Sequence, residues 1–442
     1  MLSETMSTFQ QEAMKLAAKQ QAPEWLSALR DRGSDVWTQS KWPSRKTELW
    51  KYTSLLPLQK HDKLAWGQAD AAWRQQVELM DLEATRLVLV NGVPDLQASD
   101  PLPPQLSWFS TAGDELRDSM NRYLGKILDT ERHLFAALSN AWVNEGVVMH
   151  LKKGERLEKP LYLVHVSTTE GEQSTVASPR LLLVLEEGAE AEVIEHYVSG
   201  SDEQNGFVNA ITEIDVGANA ELHHCRVNLE QEQLIHIGGV HVRLHRDARL
   251  YGFTLAEGSK LKRIDYQINH CEPGAHAGLN GIYLAQHRQL IDYHTNMEHA
   301  APHCTSDEVF RGIIGDHAHA VFNGRIHIHP DAQKTLAELS NRNLLTSNTA
   351  EIDTKPELEI YADDVRCAHG ATVSQLDPTA LYYLQSRGVP ADQARVMLSF
   401  GFVNELLGDI RQPVVREFLE RHLTRLLYAE GSLVLGADGR HE

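Results

Sequence analysis

The sequence predicts a mainly β protein: a parallel β-helix, or a related β-solenoid, flanked by N-terminal and C-terminal α-helical domains. Three observations lead there. Before about residue 146 and after about 377, apolar residues recur at the helical period. From 147 to 376 the chain turns instead into short alternating apolar runs. A small-residue corner recurs among those runs, with alanines at 189, 218, 248, 275, 318 and 332; the first three gaps are 29, 30 and 27 residues. Loose repetition at that period marks a chain of stacked units. The expected domains are therefore 1–146, 147–376 and 377–442.

Residues 1–80 read as helical. Phe9, Ala13, Leu16, Ala17 and Gln20 trace one helical face, apolar except for its last member. Pro43 and Ser44 form a helix-start signal for the segment 43–55. RLVLVNGVPDL, 86–96, alternates and contains Asn91-Gly92, which predicts a strand and a tight turn. Residues 115–145 again carry the helical pattern.

In the repeats, a Gly or Asp beside Ala permits a sharp corner with little bulk. The following alternate positions, such as Ala189, Ala191 and Val193, then face inward. One such unit cannot bury its apolar face alone, whereas a stack of them can. A β-sandwich or a cupin-type barrel is the competing class. After 377, the segment 378–387 ends at Gly388, the expected residue just past a helix C-terminus. Pro390 opens a second helix with Ala394, Met397, Leu398, Gly401 and Phe402 along one face. A third carries Val415, Phe418, Leu419, Leu423 and Leu426. Such helical domains would cap the ends of a solenoid.

Composition excludes several function classes. A formal charge of −19 argues against a nucleic-acid or anionic-membrane surface. The N-terminus shows no secretory signal, and no apolar run approaches the ~20 residues of a membrane span. The four cysteines, at 225, 271, 304 and 367, are too scattered for a disulfide framework, so a reducing cytoplasm is expected. No phosphate-binding G-x-x-x-x-G-K-[ST] loop, dinucleotide G-x-G-x-x-G or G-x-S-x-G elbow is present.

One constellation carries chemistry. Cys367 and His369 stand two positions apart, which on a strand puts thiol and imidazole on the same face. That pair suits a thiophilic metal or an iron–sulfur species, but it is half of a four-ligand site. The bland alternative is a buried thiol beside an unrelated surface histidine. His223 and Cys225 share the spacing, yet the parity from the Gly217-Ala218 corner through Ala220 and Leu222 turns them outward. The adjacent pairs His224-Cys225, His270-Cys271 and His303-Cys304 point to opposite faces and chelate poorly. His299-Ala-Ala-Pro-His303 lacks the glutamate of a zinc-protease helix, and Pro302 disfavours that helix. The pairs His317/His319 and His327/His329 would suit a cupin-like metal site. Such a site takes a glutamate a few residues on, and positions 333 and 334 are Gln and Lys. Two rival functions follow from the residues alone. One is a self-contained metalloenzyme using the histidines of 223–329. The other is a solenoid that binds or cleaves carbohydrate.

The run NLLTSNTAEIDTKPELEIYADDVRCAHGATVSQLD (343–377), with LYYLQSRGV (381–389) and PSRKTELWKYTSL (43–55), resembles the SufB/SufD family of iron–sulfur cluster assembly subunits. DDVRCAHGATV is similar to the SufD branch, where SufB has glutamates and a histidine. The resemblance covers most of the chain. It implies a right-handed parallel β-helix and a non-catalytic scaffold subunit. It also implies pairing with SufB through the β-helix, and SufC ATPase subunits docked on the C-terminal helices near Arg387 and Gly388. Cys367 and His369 would then lie at the SufB interface as ligands to iron or a transient iron–sulfur cluster, His369 as a neutral imidazole and Cys367 as second ligand or supporting thiol. Asp363 and Asp364 are lesser candidates for iron entry, with solvated loop charges as the plainer reading. Sulfur would come from a cysteine desulfurase system. Reduced flavin is associated with such complexes, although no flavin motif occurs here.

Overall fold

The computed structural model describes residues 6–60, 64–68, 71–169, 174–201 and 205–429. The first five residues of the expected N-terminal domain and residues 430–442 of the expected C-terminal one lie outside the described residues.

From Ile211–Val216 onward, consecutive strands alternate between two sheets, one of twelve strands and one of ten. In the ten-stranded sheet Glu221–Leu229 pairs in parallel with Arg249–Glu257. The intervening Ile235–Leu244 pairs in parallel with Leu261–His270 in the other sheet. Each turn of chain therefore adds one strand to each sheet, which is a flattened β-solenoid. Sandwich and cupin folds are antiparallel, and both are excluded. Alternate side chains point between the sheets, where Val193, Leu222, Leu250, Leu279, Tyr293 and Phe310 form part of one continuous core.

The corners explain the repeat. Gly188, Asn219, Asp247, Gly274, His303 and Lys334 all have positive φ, between 54° and 79°. Each precedes a small buried residue: Ala189, Ala220, Ala248, Ala275, Cys304 and Thr335. The strands that follow are in register, so these residues stack along the solenoid. Two corners differ from the expected alanine positions. Ala220, not Ala218, occupies the stack, because Asn219 takes the left-handed position. Ala318 belongs to the opposite sheet, after Asp316 at φ 48°.

The helices cover the faces of the solenoid, not its ends as expected. Thr8–Lys19, Ser27–Gln39 and Leu134–Trp142 lie on the twelve-stranded sheet, where Phe9, Trp37 and Trp142 pack with Phe207, Ile235 and Leu261. Ala391–Leu407 and Pro413–Ala429 cover the ten-stranded sheet, with Val403, Leu406 and Phe418 against Val227, Phe253 and Ile282. Outward positions near the middle of each sheet are apolar, and a helix on each face removes them from water.

Two local expectations change. Segment 43–55 holds only the 3₁₀ turn Glu48–Trp50, closed by i→i+3 bonds such as Trp50 N–H to Thr47 O at 2.8 Å. The Trp50 ring lies 4.0 Å beneath the Arg263 guanidinium, a tertiary contact that holds the turn. In Ala391–Leu407 the buried face runs through Ala394, Val396, Ser399 and Val403, while Met397 and Gly401 are exposed. The predicted strand and tight turn form as read, and the structure adds a return strand: Thr85–Val90 pairs antiparallel with Val93–Pro94 through Asn91 and Gly92, both with positive φ. It extends the solenoid, since Thr85–Val90 pairs in parallel with Leu161–Ser167.

The two ends differ. Antiparallel strands, Val93–Pro94 in one sheet and Leu106–Trp108 in the other, close the first turn. At the other end Glu351–Ile360 and Arg366–Ser374 are the last strands of their sheets, and no residue of either is buried.

Candidate functional site

Cys367 and His369 lie on the terminal strand Arg366–Ser374 of that open end. The strand pairs on one side with Leu336–Leu345, and the register sets Cys367 beside Ala337 and His369 beside Leu339. Ala337 and Leu339 are core residues, so both candidate side chains share the inward face, as strand parity predicted. No further turn covers that face among the described residues. An inward position there becomes an accessible one.

The two groups differ in environment. Cys367 is half-buried against the core. Burial raises its thiol pKa above the ordinary value, and a backbone hydrogen bond with Ala337 lowers it less. The group is a thiol at neutral pH and must lose its proton to bind a metal. His369 is exposed, and among the described residues nothing hydrogen-bonds its ring. Among the described residues no third His, Cys, Asp or Glu joins the pair at metal-binding distance. Among the described residues the constellation remains a pair.

The neighbouring acidic candidates divide. Asp364 is engaged at the corner by the Lys334 ammonium, and its N–H donates to Gln333 Oε1 at 2.9 Å. Asp363 is exposed. Arg387 and Gly388 end the helix Pro378–Ser386. Gly388 has φ 85°, its N–H donates to Gln385 O, and the Val389 N–H donates to Leu384 O; these are the bonds of a helix-terminating glycine. The Arg387 guanidinium lies 5.1 Å over the Tyr383 ring. No residue of this helix is buried, and Tyr382 and Tyr383 are 73% and 57% exposed.

The remaining pairs resolve by parity. His223 and Cys225 point out of the solenoid, beneath the turn Asp409–Gln412, into a cavity of about 390 Å³. His270 and His299 turn inward and stack at 4.1 Å, leaving Cys271 exposed. Cys304 is buried in the corner stack. His319 Nε2 pairs with Asp353 at 2.8 Å. His327 and His329 converge on Glu298, which lies one turn back and beside His327 in register. Sequence reasoning looked for that carboxylate after the pair; the signal was the repeat period, which brings residue 298 next to 327.

No helix among the described residues is long and apolar enough to cross a membrane.

Comparison with known proteins gives a consistent result. The family described as "SUF system FeS cluster assembly, SufBD core domain" matches residues 166–402, and "SufBD protein N-terminal region" matches residues 3–163. The chain is 33% identical over 379 residues to the iron–sulfur cluster assembly protein SufD of Escherichia coli, covering 85% of this chain and 87% of that one. It is 30% identical over 395 residues to an iron–sulfur cluster assembly SufBD family protein of Synechocystis, covering 86% of each. SufD of Bacillus subtilis is 26% identical over 432 residues, 92% of this chain and 95% of that one.

Proposed function

This chain belongs to the SufBD family of iron–sulfur cluster assembly proteins, and from that premise we propose that it is a non-catalytic scaffold whose open solenoid end supplies part of an intersubunit assembly site. One observation carries the reading. Cys367 and His369 share the accessible face of the terminal strand, and no third ligand from this chain joins them among the described residues.

The partner at this end is a second solenoid of the SufB type. Two exposed edge strands offer unpaired backbone groups as a template for further strands. Iron or a nascent iron–sulfur cluster is the cargo. His369 ligates it as a neutral imidazole, and Cys367 ligates it as a thiolate or supports the interface. Sulfur reaches the site from a cysteine desulfurase system. The ATPase is a separate SufC-type subunit docked on the exposed helix Pro378–Ser386 and its corner at Arg387 and Gly388. The reading places the chain in the cytoplasm.

Two experiments test it. The full complex is co-expressed with His369→Ala or Cys367→Ala, and anaerobic cluster content is measured. Cluster content is expected to fall severalfold in H369A and by less in C367A; normal assembly in both overturns the ligand assignment. For the docking surface, Tyr382→Ala with Tyr383→Ala is preferable to deleting the C-terminal helices, which would bare the apolar face they cover. Undiminished retention of the ATPase in a pull-down rules that surface out.

A further inference from the structure

The strongest cluster of ligand groups outside the proposed assembly site lies on the outer face of the twelve-stranded sheet. Glu298 is the next-to-last residue of the strand Leu290–His299, His327 lies beside it on the neighbouring strand His319–Ile328, and His329 follows that strand. His327 Nδ1 is 2.5 Å from Glu298 Oε1, and His329 Nε2 is 2.7 Å from the same oxygen. The ligand atoms of all three residues lie within 4.8 Å of one another. His327 and Glu298 are 18% and 20% exposed and His329 is 40% exposed, so the cluster is partly sheltered and open on one side.

The surroundings orient the carboxylate. Its other oxygen, Oε2, accepts from Arg325 Nη1 and from Asn296 Nδ2, each at 3.2 Å. That leaves Oε1 directed at the two imidazoles. Arg325 is itself held bidentately by Glu359, both contacts at 2.8 Å, so its charge is balanced from the other side. Outer partners that fix a ligand's orientation are the usual support of a metal site.

We propose that Glu298, His327 and His329 form a binding site for a first-row divalent cation of the Zn²⁺ type, with the remaining positions open to water. Two imidazole nitrogens and one carboxylate oxygen are the donor set of open zinc and non-haem iron sites. Hard cations such as Mg²⁺ and Ca²⁺ prefer oxygen donors alone. This site is separate from Cys367 and His369 and does not depend on the assembly reading.

The test uses the full-length chain carrying Cys367→Ala and His369→Ala, stripped with chelator and titrated with Co²⁺, followed by visible absorption and calorimetry. Saturable binding of one Co²⁺ with ligand-field bands is expected, and Zn²⁺ should displace it. Adding His329→Ala or Glu298→Gln should weaken binding roughly tenfold or more, the scale on which even outer partners of a metal ligand act. His329 is the most exposed of the three, and circular dichroism establishes that its variant is folded. Absence of saturable binding overturns the proposal. So does unchanged affinity in both added variants.

Discussion

His369 and Cys367 have the same parity and opposite environments, and their expected effects differ accordingly. The exposed imidazole presents its nitrogens directly, and its loss should cost little stability. The half-buried thiol would have to give up a proton to bind a metal, and its loss also trims the core it packs against. Glu308 shows burial acting more strongly. It lies on the inward face, in register with Leu339 and through it with His369. Burial pushes its carboxyl up to about 8 from 4.5, with Thr295 lowering it less. The folded value exceeds the unfolded one. Its stabilising contribution is therefore full below pH 4.5 and is lost as pH rises through about 8. Glu308→Gln should flatten that fall and stabilise the chain by about 1–3 kcal/mol above pH 8. Thermal melts of both proteins at pH 5 and pH 9 check this; parallel pH dependences would refute it.

Within each element, close packing sets what can change. Gly312 faces the core, and a Cβ there would lie 2.1 Å from the Tyr283 ring. That ring cannot easily move, because its hydroxyl donates to Asn343 Oδ1 at 2.5 Å and accepts from Asn341 Nδ2 at 2.9 Å. Gly312→Ala should cost about 1–3 kcal/mol by overpacking, read as a lowered midpoint in denaturant. The helix Pro413–Ala429 is tied to its sheet by His422, which pairs with Glu257. Burial lowers the His422 pKa, but the Glu257 carboxylate raises it further, to a net value above 6.5. That contribution is full below pH 6.5 and is lost as pH rises through the folded value. In His422→Ala the C-terminal helices should be cut faster than wild type by limited proteolysis at pH 6, with the gap closing near pH 9. An equal gap at both values would remove the pair from the account.

At the scale of the molecule, the asymmetry of the ends matters most. One is closed by antiparallel strands and the other presents two edges with exposed Ile360 and Val373, at 41% and 49%. Soluble proteins rarely leave long edges uncovered without a partner. Val373→Lys with Ile360→Lys should abolish co-purification with a SufB-type partner while leaving the melting temperature of the isolated chain nearly unchanged. Unaffected co-purification would place the partner elsewhere.

Much of this architecture was legible in the sequence because it is local. Strand parity depends on neighbouring residues, so the shared face of Cys367 and His369 and the outward turn of His223 and Cys225 could be read directly. Gly188, Asp247 and Gly274 announce their corners because glycine and, less freely, aspartate adopt positive φ, and the glycine at 388 ends its helix for the same reason; His303 and Lys334 give no such signal. Tertiary structure alone decided which corners stack, replacing Ala218 by Ala220, and where the helices lie. It also held Glu48–Trp50 as a single turn under Arg263 and set Glu298 against His327 and His329. Each of these rests on contacts between residues a whole solenoid turn or more apart. Loops of varying length separate them, so sequence spacing alone does not fix which residues meet.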